Sequence, residues 1–156
     1  MTNCELVKKF YTAFSNGKAS EMVECYHKEI VFKDPVFGTL KGEKAINMWQ
    51  MLLSNRSETT EIFFKSVKAN EEEGSAVWIA KYTYGEKKRE VTNVVNASFK
   101  FKDGKIIEHT DFFNIWSWSR QALGFTGLLL GWTAFMKNKI QKTTNQKLSE
   151  FMSKDN

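Results

Sequence analysis

The sequence predicts an α+β fold. Its core is a curved, mostly antiparallel sheet closed on the concave side by three N-terminal helices, forming a cone-shaped pocket, with an extra C-terminal helical segment. Three observations carry this. Apolar residues recur at helical spacing in the first third of the chain. From about residue 59 the period changes to two. Short polar turns separate the period-two runs, and Lys102-Asp103-Gly104-Lys105 has hairpin chemistry.

The elements follow in order. Leu6, Val7, Phe10, Tyr11 and Phe14 lie three and four residues apart, which gives an amphipathic helix ended by Asn16-Gly17. Ser20 starts a second helix through Tyr26, with Glu21 and Glu24 near its start. Ile30 to Lys33 is a short strand, stopped by Asp34 and by Pro35, the only proline. A loop follows Gly38, and Gly42-Glu43 opens a third helix carrying Ala45, Ile46, Met48, Trp49, Leu52 and Leu53. Thr59 to Lys68 and Ser75 to Tyr84 are strands around a polar turn at Asn70 to Gly74. After a turn at Gly85 to Lys88, the strand Arg89 to Lys102 sets Val91, Asn93, Val95, Ala97, Phe99 and Phe101 on one face. Ile106 to Trp116 is the last strand.

The apolar tract Ala122 to Met136 and the polar tail Lys137 to Met152 depart from this regularity. They divide the chain into a domain over 1–116 and a helical extension over 117–156, packed on the domain or on a partner subunit. Cover by protein is favoured over a membrane contact made through the lysines of the tail.

Composition narrows the class. The chain has 156 residues, 42% hydrophobic and 14% aromatic; its thirteen Phe and five Trp fill a thick core or line a cavity. The net charge of +5 is dispersed, with no zinc-finger, KH or RRM-like pattern, so nucleic acid is not an expected partner. Cys4 and Cys25 form no metal or redox spacing and read as reduced thiols of a cytoplasmic protein. The N-terminus lacks the apolar run of a signal peptide, and no apolar stretch is long enough to span a bilayer. No glycine-rich phosphate loop, HExxH, CxxC or GxSxG occurs, so neither a cofactor nor a metal is expected.

Chemistry concentrates in two places. On the last strand, period two sets Ile107, His109, Asp111 and Phe113 on one face and Ile106, Glu108, Thr110 and Phe112 on the other. Both faces carry apolar groups, so the strand alone leaves the inward face open. If the first set faces inward, a proton-moving imidazole and an orienting carboxylate share the concave side. The alternative is a pair bonded only across the sheet. The second place is Asp34, which proline holds in the extended region and which alternates with Ile30 and Phe32. It reads equally as a pocket carboxylate or as an Asx-turn residue satisfied by local N–H groups. Tyr11, Phe32, Phe37, Trp49, Asn93 and Phe113 are the candidate ligand contacts.

With these residues placed, the chain resembles the nuclear-transport-factor-2-like superfamily, and within it the SnoaL-like and ketosteroid-isomerase-like proteins. The resemblance covers about Leu6 to Phe113. It rests on the helix ending in Asn16-Gly17, on Cys25-Tyr26-His27, on Asp34-Pro35-Val36-Phe37-Gly38 and on the helix start at Gly42. It implies a conical pocket, frequent homodimers and a general base at Asp34. In the steroid isomerases a tyrosine and a second carboxyl complete the site. Those positions fall here on Phe10 and at or beside Ala97, so the resemblance implies no isomerase oxyanion hole. Polyketide cyclases of the SnoaL-like group use a pocket His and Asp, which His109 and Asp111 resemble. An epoxide hydrolase of this fold would want an Asp–Arg–Asp set, and neither Arg56, Arg89 nor Arg120 falls at such a position.

The expectation is therefore a cofactor-independent isomerase, cyclase or hydrolase acting on an apolar small molecule by general acid/base proton transfer, with Asp34, His109 and Asp111 as the catalytic set. The alternative is a non-catalytic small-molecule-binding or protein-interaction module of the same fold.

Overall fold

The computed structural model describes residues 1–130 and 133–154. Gly131 and Trp132 of the apolar tract lie outside the described residues. The elements are α1 (Asn3–Ser15), α2 (Ala19–Val23), β1 (Tyr26–Asp34), β2 (Gly38–Lys41), α3 (Glu43–Ser54), β3 (Glu61–Ala69), β4 (Glu73–Tyr84), β5 (Arg89–Lys102), β6 (Lys105–Phe112), α4 (Ile115–Leu123), α5 (Phe125–Leu130) and α6 (Ala134–Lys154). The strands form one sheet in the order β2-β1-β6-β5-β4-β3. Every pairing is antiparallel except β1 with β6, which is parallel. The result is the expected α+β fold: a curved, mixed, unclosed sheet with helices on its concave side and an added C-terminal helix.

Local chemistry accounts for the boundaries. Thr2 and Glu5 form a reciprocal capping box at the start of α1. At the β5–β6 hairpin Asp103 and Gly104 both take positive φ, 52° and 70°, the primed turn that suits the twist of two-residue hairpins. Asn114 caps α4 by accepting from the Ser117 N–H.

Four local readings are corrected. The second helix stops at Val23, and its N-cap is Lys18 rather than Ser20. The Ile106 N–H donates to the Cys25 carbonyl, so pairing with β6 begins there and overrides the helical pattern. Tyr26 and His27 consequently belong to a strand. The loop expected after Gly38 contains a further strand, β2, whose residues 38–41 return along 31–34 of β1. The last strand ends at Phe112, and Trp116 is helical because Asn114 starts α4.

The inner face of the sheet carries Ala76, Trp78 and Ala80 of β4 and Val91, Val95, Ala97 and Phe99 of β5, all buried. They meet Leu6, Phe10, Tyr11 and Phe14 of α1 and Met48 and Trp49 of α3 in one core. That core resolves the face left open on β6: His109 and Asp111 are buried, whereas Phe112 is exposed.

Candidate functional site

A cavity of about 590 Å³ opens between the inner sheet face, α3 and the C-terminal half of α6. Phe32, Phe37, Trp49, Trp78 and Phe113 make its wall largely apolar, and Asn93, Arg56 and three carboxylates, Asp34, Asp111 and the exposed Glu150, break that surface.

Asp34 ends β1 at the tight turn into β2. Its Oδ1 accepts the Val36 N–H at 3.0 Å and the Phe37 N–H at 2.5 Å. Both readings of this residue thus hold together: it is an Asx-turn residue and a cavity carboxyl. Burial disfavours its charged form and dominates, the Phe37 N–H opposes this, and the Asp111 charge adds to the rise. The carboxyl is pushed up to about 7.

Asp111 reaches the same cavity from the middle of β6. Its Oδ1 accepts the Trp78 indole N–H at 3.1 Å and pairs with His109 Nε2 at 2.9 Å. His109 Nδ1 lies 2.7 Å from the Tyr26 hydroxyl, which also accepts the Trp49 indole N–H at 2.8 Å. Tyr26, His109 and Asp111 thus form one continuous hydrogen-bonded chain inside the core.

His109, expected in the catalytic set, lies behind the cavity wall. It is fully buried and ringed by Phe10, Phe32, Trp49 and Phe99, with centroids 4.6 to 6.0 Å away. Both nitrogens are bonded within the protein, and the ring does not line the cavity. It positions Asp111 and has no face for a ligand. Tyr11, expected as a ligand contact, is wholly buried away from the cavity, stacked on Phe64, with its hydroxyl unpartnered. Burial, reinforced by the Asp111 charge, pushes that phenol well up. Phe32, Phe37, Trp49, Asn93 and Phe113 do line the cavity. Phe10 stacks on Tyr26 and Ala97 sits opposite Asp111, so neither position offers a donor to a ligand.

Sequence reasoning missed two contributors. Arg56 lines the cavity while its guanidinium donates to the carbonyls of Phe14, Ser15 and Thr60, tying the end of α1 to the segment before β3. The other is α6. Gln141, Thr144 and Asn145 donate to the carbonyls of Pro35, Val36 and Phe37, so this helix clamps the turn that carries Asp34. Lys147, Glu150 and Phe151, further along α6, reach the cavity. A polar helix with little amphipathic signal gives no hint of this register, because side-chain-to-carbonyl bonds set it.

The family model of the SnoaL-like domain matches residues 7–109, and the chain belongs to that family, within the nuclear-transport-factor-2-like superfamily. No curated protein matches it. Among solved structures it is similar to a putative polyketide cyclase from Pseudomonas putida, with TM-score 0.65 and 16% identity over 78% of this chain and 98% of that one. It is also similar to SalBIII, an epoxide hydrolase/cyclase-like enzyme of pyran ring formation in the polyether salinomycin, with TM-score 0.61 and 17% identity over 71% and 89%. A third is TerC co-crystallised with polyporic acid, with TM-score 0.61 and 15% identity over 72% and 91%. At these identities the likeness is one of fold.

Proposed function

We propose that the chain is a cofactor-independent enzyme that opens or closes a C–O bond in an apolar small molecule, using Asp34 and Asp111 as an acid/base pair. The observation that carries this is the convergence of two carboxyls of unlike environment on one apolar cavity. Asp34, pushed up to about 7, exchanges between acid and anion near neutral pH. Asp111, held by the Trp78 indole N–H and by His109, supplies the second carboxyl of the cavity.

With an epoxide, Asp34 gives its proton to the ring oxygen as the C–O bond breaks. Asp111 takes the proton from the attacking water or substrate hydroxyl as the new C–O bond forms. The products are a diol or a cyclic ether, and the proton returns from Asp111 to Asp34 through solvent. The reaction named for SalBIII is of this type, which supports the reading. The same pair suits proton transfer next to a carbonyl.

Turnover of stilbene oxide, with wild type, D34N and D111N compared, tests it. At least about a hundredfold loss in both variants is expected for acid/base groups. Undiminished turnover in either one discards the mechanism. A second reading, a binding module without turnover, is favoured by the complete engagement of His109 inside the protein. Saturable binding of stilbene oxide with no product would select it.

We also propose that the chain forms a homodimer through the outer face of the sheet. Phe63, Ile79 and Val94 lie in register across β3, β4 and β5, and Phe112 lies beside Asn96 on the same side. Phe63, Val94 and Phe112 are exposed.

A further inference from the structure

The apolar tract is covered at its ends, where Ala122 and Met136 are buried, and exposed at large side chains between them. Phe125 and Phe135 are 73% and 70% exposed, and Leu129 is 53% exposed. Meanwhile the polar sides of α4 and α6 pack inward. Trp118 bonds to Tyr82, Gln121 to the β5 backbone at Thr92, and Gln141 and Asn145 to the Asp34 turn. Alongside these polar bonds Trp118, Ala122, Met136, Ile140 and Leu148 are buried, so Phe125, Leu129 and Phe135 are large apolar side chains left over on the solvent side.

Charge around these side chains has one sign along the chain. Residues 112–149 contain Arg120, Lys137, Lys139, Lys142 and Lys147 and no Asp or Glu. Phe135, Lys139 and Lys142 recur at i, i+4 and i+7, so one exposed stripe of α6 begins apolar and continues cationic. A further cation comes from outside the segment. The Arg89 guanidinium lies directly over Gly124, where any side chain would collide with it, one residue before Phe125. Arg120 in turn covers the Trp116 ring.

A second copy of the chain is a poor occupant. A two-fold contact would bring this basic run against itself. Protruding phenylalanine and leucine side chains with a cationic surround match instead the interface of an anionic bilayer, where apolar groups enter the acyl boundary and lysines meet head groups. Among the described residues no helix is long and apolar enough to cross a membrane, and an interfacial contact needs none.

We propose that the α4–α6 segment docks the protein on anionic lipid surfaces, with Phe125, Leu129 and Phe135 inserted and Arg120, Lys137, Lys139 and Lys142 on the head groups. The test is co-sedimentation of the full chain with two sets of vesicles, phosphatidylcholine alone and phosphatidylcholine mixed with phosphatidylserine. Binding to the mixed vesicles only is expected, weakening as salt is raised. F125S/F135S should lower the partition constant by at least about tenfold. K137E/K139E/K142E should lower it comparably with the apolar residues intact, which guards against an effect of misfolding in the first variant. Absence of binding to mixed vesicles overturns the proposal, as does equal binding to neutral ones or undiminished binding of either variant. Conversion of a wild-type dimer to a monomer by F125S/F135S in sedimentation velocity would also overturn it, assigning the face to a second copy.

Discussion

Asp34 is where opposing local forces meet. The backbone N–H groups of Phe37, Val36 and Gly38 stabilise its anion, and burial with the Asp111 charge nearby outweighs them. The sign of the consequence is fixed. The folded carboxyl titrates at about 7 against an ordinary value of 3.8, so the folded state holds the extra proton between those values. The stability this contributes is complete below 3.8 and is lost as pH rises through about 7. D34N, nearly isosteric and never charged, should therefore melt higher than wild type at pH 8 and alike at pH 4 in differential scanning calorimetry. A wild type that melts higher at pH 8 would show that the charged form is the favoured one. Tyr26 makes a second residue-scale prediction. Y26F removes the partner of both His109 Nδ1 and the Trp49 indole N–H inside the core, at a cost of about 1–3 kcal/mol in urea unfolding. An unchanged unfolding midpoint would mean that the network is not formed. Asp34 and Asp111 were legible as carboxyls on alternating strands. The retreat of His109 into the core was not, because it depends on Tyr26, which the helical pattern placed in the wrong element.

At the scale of elements, period two read β5 to its last residue, since hairpin turns bound it on both sides and every second side chain from Val91 to Phe101 is buried or half-buried. β2 was lost because four residues beside a glycine carry no periodicity, and the parallel pairing of β1 with β6 joins strands some eighty residues apart. The element with most bearing on the site is the one sequence explained least. α6 holds the Asp34 turn through Gln141, Thr144 and Asn145. Replacing all three (Q141A/T144V/N145A) should free the turn, admit water and lower the Asp34 pKa toward 3.8 while the sheet stays folded. An Asp34 titration unchanged in that variant would show that the turn holds itself.

For the whole molecule, the fold separates its faces by chemistry. The concave side encloses the carboxyl pair, the sheet's outer side presents Phe63, Val94 and Phe112, and the far end of the helical segment is apolar and basic. Dimerisation through the outer sheet face predicts that F63S/V94S sediments as a monomer where wild type is a dimer; a wild-type monomer at high concentration would contradict it. The outer sheet surface was invisible in the sequence because an outward apolar residue on a strand reads like an inward one until the partner strands are known. The central claim is that Asp34 is a cavity carboxyl that titrates near neutral pH. The most direct measurement is the carbon NMR titration of aspartate carboxyls in wild type and D34N. The account predicts one resonance with a midpoint near 7 that is missing from D34N; an Asp34 resonance titrating near 3.8 would contradict it.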